Sequence, residues 1–184
     1  TLDQGPPLTS GFTVVDSSFS EHDETYLVVA GKTKQARDYF RQLRVTLREY
    51  SAPHRRLELA FRAYNDGAAF RYVLPAQPSV VEFGIVQENT QFHFAADLKT
   101  WAFQINTFRS SFEGLYLPTM LSAIPDTGLI HPPLTLQRSD GVTLAITEAE
   151  LTDYAGMYLR GLLGTAVQVV LPPRPDNGSV CVRG

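Results

Sequence analysis

Three carboxylates, Glu148, Glu150 and Asp153, follow directly on the apolar alternation Val142-Thr143-Leu144-Ala145-Ile146. Calcium takes roughly six to eight oxygen ligands, so acids at this spacing supply part of a calcium shell, although no EF-hand pattern surrounds them. Val142, Leu144 and Ile146 share one strand face, and Glu148 is next in the same parity. A carboxylate that continues an apolar face either marks the solvated end of a strand or sits where an acid is wanted. Periodicity alone favours the first reading, because strand ends fray into water. The second requires a cation or a hydrogen-bond donor close to Glu148, since burying an unpaired carboxylate is costly.

The remaining chemistry-bearing residues give weaker patterns. Glu21-His22-Asp23-Glu24 reads as a solvated polar loop after Phe19. His22, His54, His93 and His131 have no zinc-type spacing. His93 alternates with Phe92 and Phe94 and is expected on an outer sheet face, whereas His131, before Pro132-Pro133, reads as loop. No Gly-x-Ser-x-Gly elbow and no phosphate-binding glycine loop occurs. Trp101, Phe103, Phe108, Phe112 and Tyr116 fit either a sugar-stacking platform or core and interface, and aromatic side chains more often do the latter. Cys181, the single cysteine, excludes an intrachain disulfide and a cysteine metal cluster and reads as a small buried hydrophobe.

The elements that must position these residues are strands. Leu43-Val45-Leu47 and Leu57-Leu59-Phe61-Ala63 alternate with polar or small residues, as half-buried strands do. Asn65-Asp66-Gly67 then supplies the positive φ angles of a tight hairpin, and Phe70 to Leu74 returns. The same arrangement recurs as Leu134 to Gln137, a Ser139-Asp140-Gly141 turn, and Val142 to Ile146. Further strands are expected at Phe12–Asp16, Val80–Val86, Phe92–Phe94, Val167–Leu171 and Val180–Val182. Ala36, Tyr39, Phe40 and Leu43 fall at helical spacing, which predicts a short helix within 33–44 running into a strand. Twelve prolines and thirteen glycines, mostly between these runs, suit short strands joined by turns. The expected fold is an all-β antiparallel sandwich with few or no helices.

At 184 residues and 43% apolar composition, one domain with a proper core is expected. A net charge of −3 argues against a nucleic-acid partner, because phosphate binding needs clustered Lys and Arg. No apolar run reaches the roughly 18 residues of a membrane-spanning helix. Thr1-Leu2-Asp3 and Val182-Arg183-Gly184 both read as cuts through a longer polypeptide.

Taken in order, four segments resemble the N-terminal domain of glycoside hydrolase family 97. They are Gly11 to Asp16 with His22-Asp23-Glu24-Thr25, Phe61 to Tyr72, Phe92 to Trp101, and Leu144 to Met157. The Asn-Asp-Gly…Phe-Arg-Tyr hairpin is shared with β-domains of other α-glucosidase families. The stretch Glu148-Ala149-Glu150-Leu151-Thr152-Asp153-Tyr154-Ala155-Gly156-Met157 is far more specific. The resemblance implies a galactose-mutarotase-like β-super-sandwich over 1–184, braced against a catalytic (β/α)8 barrel of the same polypeptide that this chain lacks. It also implies hydrolysis of terminal α-glucosyl or α-galactosyl residues of an oligosaccharide, in a bacterial periplasmic or secreted enzyme. Glu148 matches the glutamate that this domain lends to the active-site Ca2+, and the catalytic carboxylates belong to the barrel. Glu113 and Asp153 are secondary, substrate-proximal candidates. Thr147, Ala102 and Phe112 depart from the residues usual in the family, which bears on substrate preference rather than on domain type. Outside the resemblance, a non-catalytic carbohydrate-binding module, an aldose epimerase and a purely structural brace are the competing readings.

Overall fold

The computed structural model describes residues 1–3, 5–152, 154–173 and 180–183, with the side chains of Glu82 and of 180–183 outside the description. Asp153 and the side chain of Cys181 therefore lie outside the described residues. The strand pairings of the four-stranded and seven-stranded sheets are antiparallel, and the described helix is a single 3-10 turn, Leu121–Ala123. The chain is all-β, as its period-two patterning predicts. No helix among the described residues is long and apolar enough to cross a membrane.

The chain divides into two compact units. Residues 9–82 form a four-stranded meander of β1 (Phe12–Leu27), β2 (Gln35–Glu49), β3 (Arg56–Ala63) and β4 (Ala68–Val73). Its register aligns Phe19, Leu43, Phe61 and Phe70 in one cross-strand row, and Ser17, Val45, Leu59 and Tyr72 in the next. The expected Asn65-Asp66-Gly67 turn joins β3 to β4, closed by the Tyr64 N–H donating to the Gly67 carbonyl at 2.8 Å.

Two expectations fail in this unit, for one reason. The helix predicted within 33–44 is the first half of β2, and the acidic loop Glu21–Glu24 is the second half of β1. Each segment lacks apolar alternation, but each supplies what the other needs. Arg37 forks onto Asp23 at 2.6 Å, the Tyr39 hydroxyl donates to Glu21 at 2.8 Å, and the His22 ring stacks on Phe40 at 5.0 Å. Cross-strand pairs stabilise a ribbon whose individual strands carry weak patterns. The β2–β3 turn is held by Arg55, 2% exposed, which takes Glu49 through both its guanidinium and its backbone N–H.

Residues 1–8 and 83–183 form the second unit. Its strands are β5 (Glu82–Ile85), β6 (Gln91–His93), β7 (Lys99–Ile105), β8 (Leu117–Met120), β9 (Leu129–Gln137), β10 (Thr143–Ile146), β11 (Tyr158–Leu162), β12 (Ala166–Val170) and β13 (Val180–Arg183). The main sheet runs β6-β12-β11-β9-β7-β8, with β10 added beside β9, and β5 pairs with β13. One face buries Leu121, Ile130, Leu134, Leu136, Leu159 and Val167, and Ile146 and Met157 pack against this cluster. The opposite face holds Phe103, Ile105 and Leu129, with Phe108, Tyr158 and Val170 packed on them. The β9–β10 hairpin has the predicted turn, with Gly141 at φ 87°.

His131 is not in a loop, as its neighbouring prolines suggest, but in β9 opposite Phe103. Pro132 and Pro133 donate no N–H to a ladder, and the β7–β9 register jumps there, between Trp101/Thr135 and Phe103/His131. The strand continues on both sides of the interruption. His93, by contrast, is exposed on β6 as its alternation predicts.

Candidate functional site

Glu148 stands two residues past the last paired residue of β10, Ile146, at the start of a segment that returns to β11 at Tyr158. Both feet of this segment rest on the core, since Ile146 before it and Met157 at its end pack on the same apolar cluster. Val142 and Leu144, which share parity with Ile146, are exposed at 47% and 39%. The apolar face of β10 is therefore buried at its C-terminal end, beside Glu148.

The Glu148 carboxylate closes its own loop. Its Oε1 accepts the Met157 backbone N–H at 2.6 Å. Its Oε2 accepts no hydrogen bond among the described residues and lies beside Gly156, where an added Cβ would stand 3.7 Å away. Burial pushes the carboxyl above its ordinary value, the Met157 N–H pulls it back, the negative charge of Glu88 adds to the rise, and His131 opposes it. A half-buried carboxylate with one oxygen anchored, one oxygen open and a second carboxylate nearby is electrostatically short of positive charge.

Glu88 and His131 are the titratable neighbours that the sequence alone does not assign to this site. Glu88 lies between strands in a stretch with no alternation. It accepts the Thr90 hydroxyl at 2.7 Å and the Tyr154 hydroxyl at 2.8 Å. The His131 ring packs among Phe112 (5.0 Å), Tyr158 (5.8 Å) and Phe103 (5.9 Å), and its buried Nδ1 has no hydrogen-bond partner among the described residues. Tyr154 belongs to the specific stretch after Glu148, and this bond to Glu88 is the role that the pattern alone does not disclose.

Of the other acids, Glu150 is exposed and has a left-handed φ of 54°. Glu113 is exposed and lines a groove of about 330 Å³ with Phe103, Asn106, Arg109 and Ser111, whose walls do not include Glu148. Gly114 fixes that loop, because a Cβ there would stand 2.1 Å from the Phe103 ring. The aromatic stretch divides: Phe103 is core, Phe108 half-buried, and Phe112 and Tyr116 are partly exposed at 44% and 42%.

Carboxylate oxygen suits a hard cation such as Ca2+, and the open Oε2 of Glu148 is such a donor. No group of three or more His, Cys, Asp or Glu able to hold a metal converges among the described residues. Among the described residues, Glu148 is thus a donor whose chemistry fits one position of a calcium shell.

Comparison with known proteins places this chain in a family. The model of the glycosyl hydrolase 97 N-terminal family matches residues 1–177. A retaining α-galactosidase of Bacteroides thetaiotaomicron is 33% identical over 108 residues, covering 54% of this chain and 16% of that protein. A glycoside hydrolase family 97 enzyme from Pseudoalteromonas sp. strain K8, solved with acarbose, superposes with a TM-score of 0.89 at 25% identity, over 100% of this chain and 28% of its own. A β-arabinopyranosidase shares the fold, with a TM-score of 0.80 at 18% identity over 96% of this chain and 31% of its own. The chain thus spans less than a third of the length of these relatives. By its family match the chain belongs to the glycosyl hydrolase 97 N-terminal family, and its all-β fold is the β-sandwich of those neighbours.

Proposed function

We propose that this chain is the N-terminal domain of a calcium-dependent glycosidase that hydrolyses terminal α-glucosyl or α-galactosyl residues, and that Glu148 is its ligand to the metal. The observation that carries the reading is the Glu148 carboxylate, with Oε1 tied to Met157 and Oε2 open. Relatives named as an α-galactosidase and as family 97 enzymes solved with acarbose and with panose support an oligosaccharide substrate. The general acid and base stand in a (β/α)8 barrel of the same polypeptide, where two carboxylates flank the scissile bond.

Glu148 holds a carboxylate oxygen toward that barrel from a loop whose two ends pack on the core. Met157 orients the carboxylate, and Glu88 keeps the neighbourhood negative so that a cation is favoured there. Bound at this position, calcium supplies substrate orientation and stabilisation of developing charge. Glu113 lies on a loop positioned by Gly114 and Phe103 and is a candidate for contact with substrate. The enzyme works in the periplasm or outside the cell, in keeping with the family.

The test is Glu148→Gln in the full-length polypeptide, assayed on aryl α-glucoside and α-galactoside across a calcium series. The substitution keeps an acceptor for Met157 and removes the charge. The calcium concentration for half-maximal activity should rise by about tenfold or more. An unchanged calcium requirement would sink the assignment, and the preferred aryl glycoside identifies the sugar.

A further inference from the structure

We infer that Glu88 and Tyr154 form a clasp that fixes the loop carrying Glu148, making both of them positioning residues for the site. The inference rests on the metal reading above for its purpose, but its geometry stands independently. Three hydrogen bonds lead from the sheet to Tyr154 of the loop, and a fourth holds the carboxylate within the loop. The Val169 N–H of β12 donates to the Thr90 carbonyl at 2.9 Å, and Thr90 itself is 7% exposed. The Thr90 hydroxyl donates to Glu88 Oε1 at 2.7 Å. The Tyr154 hydroxyl donates to Glu88 Oε2 at 2.8 Å, joining residues 66 apart in sequence. Inside the loop, the Met157 N–H donates to Glu148 Oε1 at 2.6 Å.

The loop needs this outside support. Between Ile146 and Tyr158 it has no paired strand residue among those described, and Glu150 is at φ 54° and Leu151 is 49% exposed. Its two feet, Ile146 and Met157, pack on the core. Tyr154 stands near the crest, and a phenol bonded to an ionised acceptor is a strong, directional tether. With both oxygens of Glu88 taking donors, that carboxylate is held as an anchor by the sheet. With the loop tethered there, the open Oε2 of Glu148 keeps one direction, as a ligand shared with another domain requires.

Hydrogen–deuterium exchange of peptides spanning 149–158, measured in the full-length polypeptide, tests the clasp. Tyr154→Phe removes the hydroxyl alone, and exchange in these peptides should quicken about tenfold while peptides of β9 and β12 stay unchanged. Glu88→Ala should match it. Glu88→Gln retains an oxygen for Tyr154 and an amide for Thr90, and should restore protection close to the unsubstituted level. Calcium affinity, titrated in parallel, should weaken about tenfold in Tyr154→Phe and much less in Glu88→Gln. Unchanged exchange in Tyr154→Phe overturns the clasp, and faster exchange with unchanged calcium affinity overturns the positioning role. If the unsubstituted polypeptide binds no calcium, the metal reading fails, and the exchange data still decide the clasp.

Discussion

Glu49 and Glu148 are the same side chain given opposite surroundings. Each accepts a backbone N–H, from Arg55 at 3.0 Å and from Met157 at 2.6 Å respectively. Glu49 also faces the Arg55 guanidinium, which holds its carboxyl below the ordinary value against the cost of burial. Glu148 faces Glu88, and burial holds it above. Among the described residues the first carboxylate has a guanidinium partner and the second has none, which makes the first structural and the second a candidate site. Replacing Glu49 by Gln takes the carboxylate charge away from the guanidinium of Arg55, which is 2% exposed, at a cost of about 3 kcal/mol in a neutral-pH denaturant melt. The pH dependence has a definite sign. A depressed folded-state value means stability that is full above the unfolded carboxyl value of about 4.3 and is lost as pH falls through the folded value. The gap between the unsubstituted chain and Glu49→Gln should therefore narrow as pH is lowered below about 4. A gap constant from pH 7 to pH 3 would refute this account.

Among the elements, hairpins with turn chemistry of their own were legible: β3–β4 and β9–β10 fall where Asn65-Asp66-Gly67 and Ser139-Asp140-Gly141 predict them. Strands defined by what lies across from them were not. The half of β1 at Glu21–Glu24 and the half of β2 at Gln35–Phe40 read as loop and helix until they are paired. β7, β8 and β11 were not predicted either. β11 shows why: Gly161 looks like a breaker, yet it is a strand residue chosen for closeness. A Cβ there would stand 2.2 Å from the Ile124 carbonyl oxygen, which lies after the 3-10 turn Leu121–Ala123. Backbone cannot yield as a side-chain tip does. Gly161→Ala should lower stability by about 2–3 kcal/mol, as overpacking does, and calorimetric melting would read it. An unshifted melting temperature would mean that β11 and the turn do not meet as closely as described.

At the scale of the whole molecule, the proposed calcium site is one to which this all-β chain of 184 residues contributes a single glutamate. Calcium needs roughly six to eight oxygens, whereas no cluster of three candidate ligands converges among the described residues. Calorimetric titration of this chain with calcium should show no tight site, and a sub-micromolar one would contradict a shared shell. The fold class and two hairpins were readable from the order of residues because alternation and turn conformation are local properties of the chain. Glu148 stands out as a candidate in the sequence through its parity after Ile146 and the specific stretch that follows it. What that glutamate faces was not readable. Glu88 reaches Tyr154 across 66 residues, and the prolines beside His131 hide the strand that carries it toward Glu148. A carboxylate's role depends on the charges and donors around it in space, and only the packing of β6, β9, β11 and β12 into one sheet assembles those.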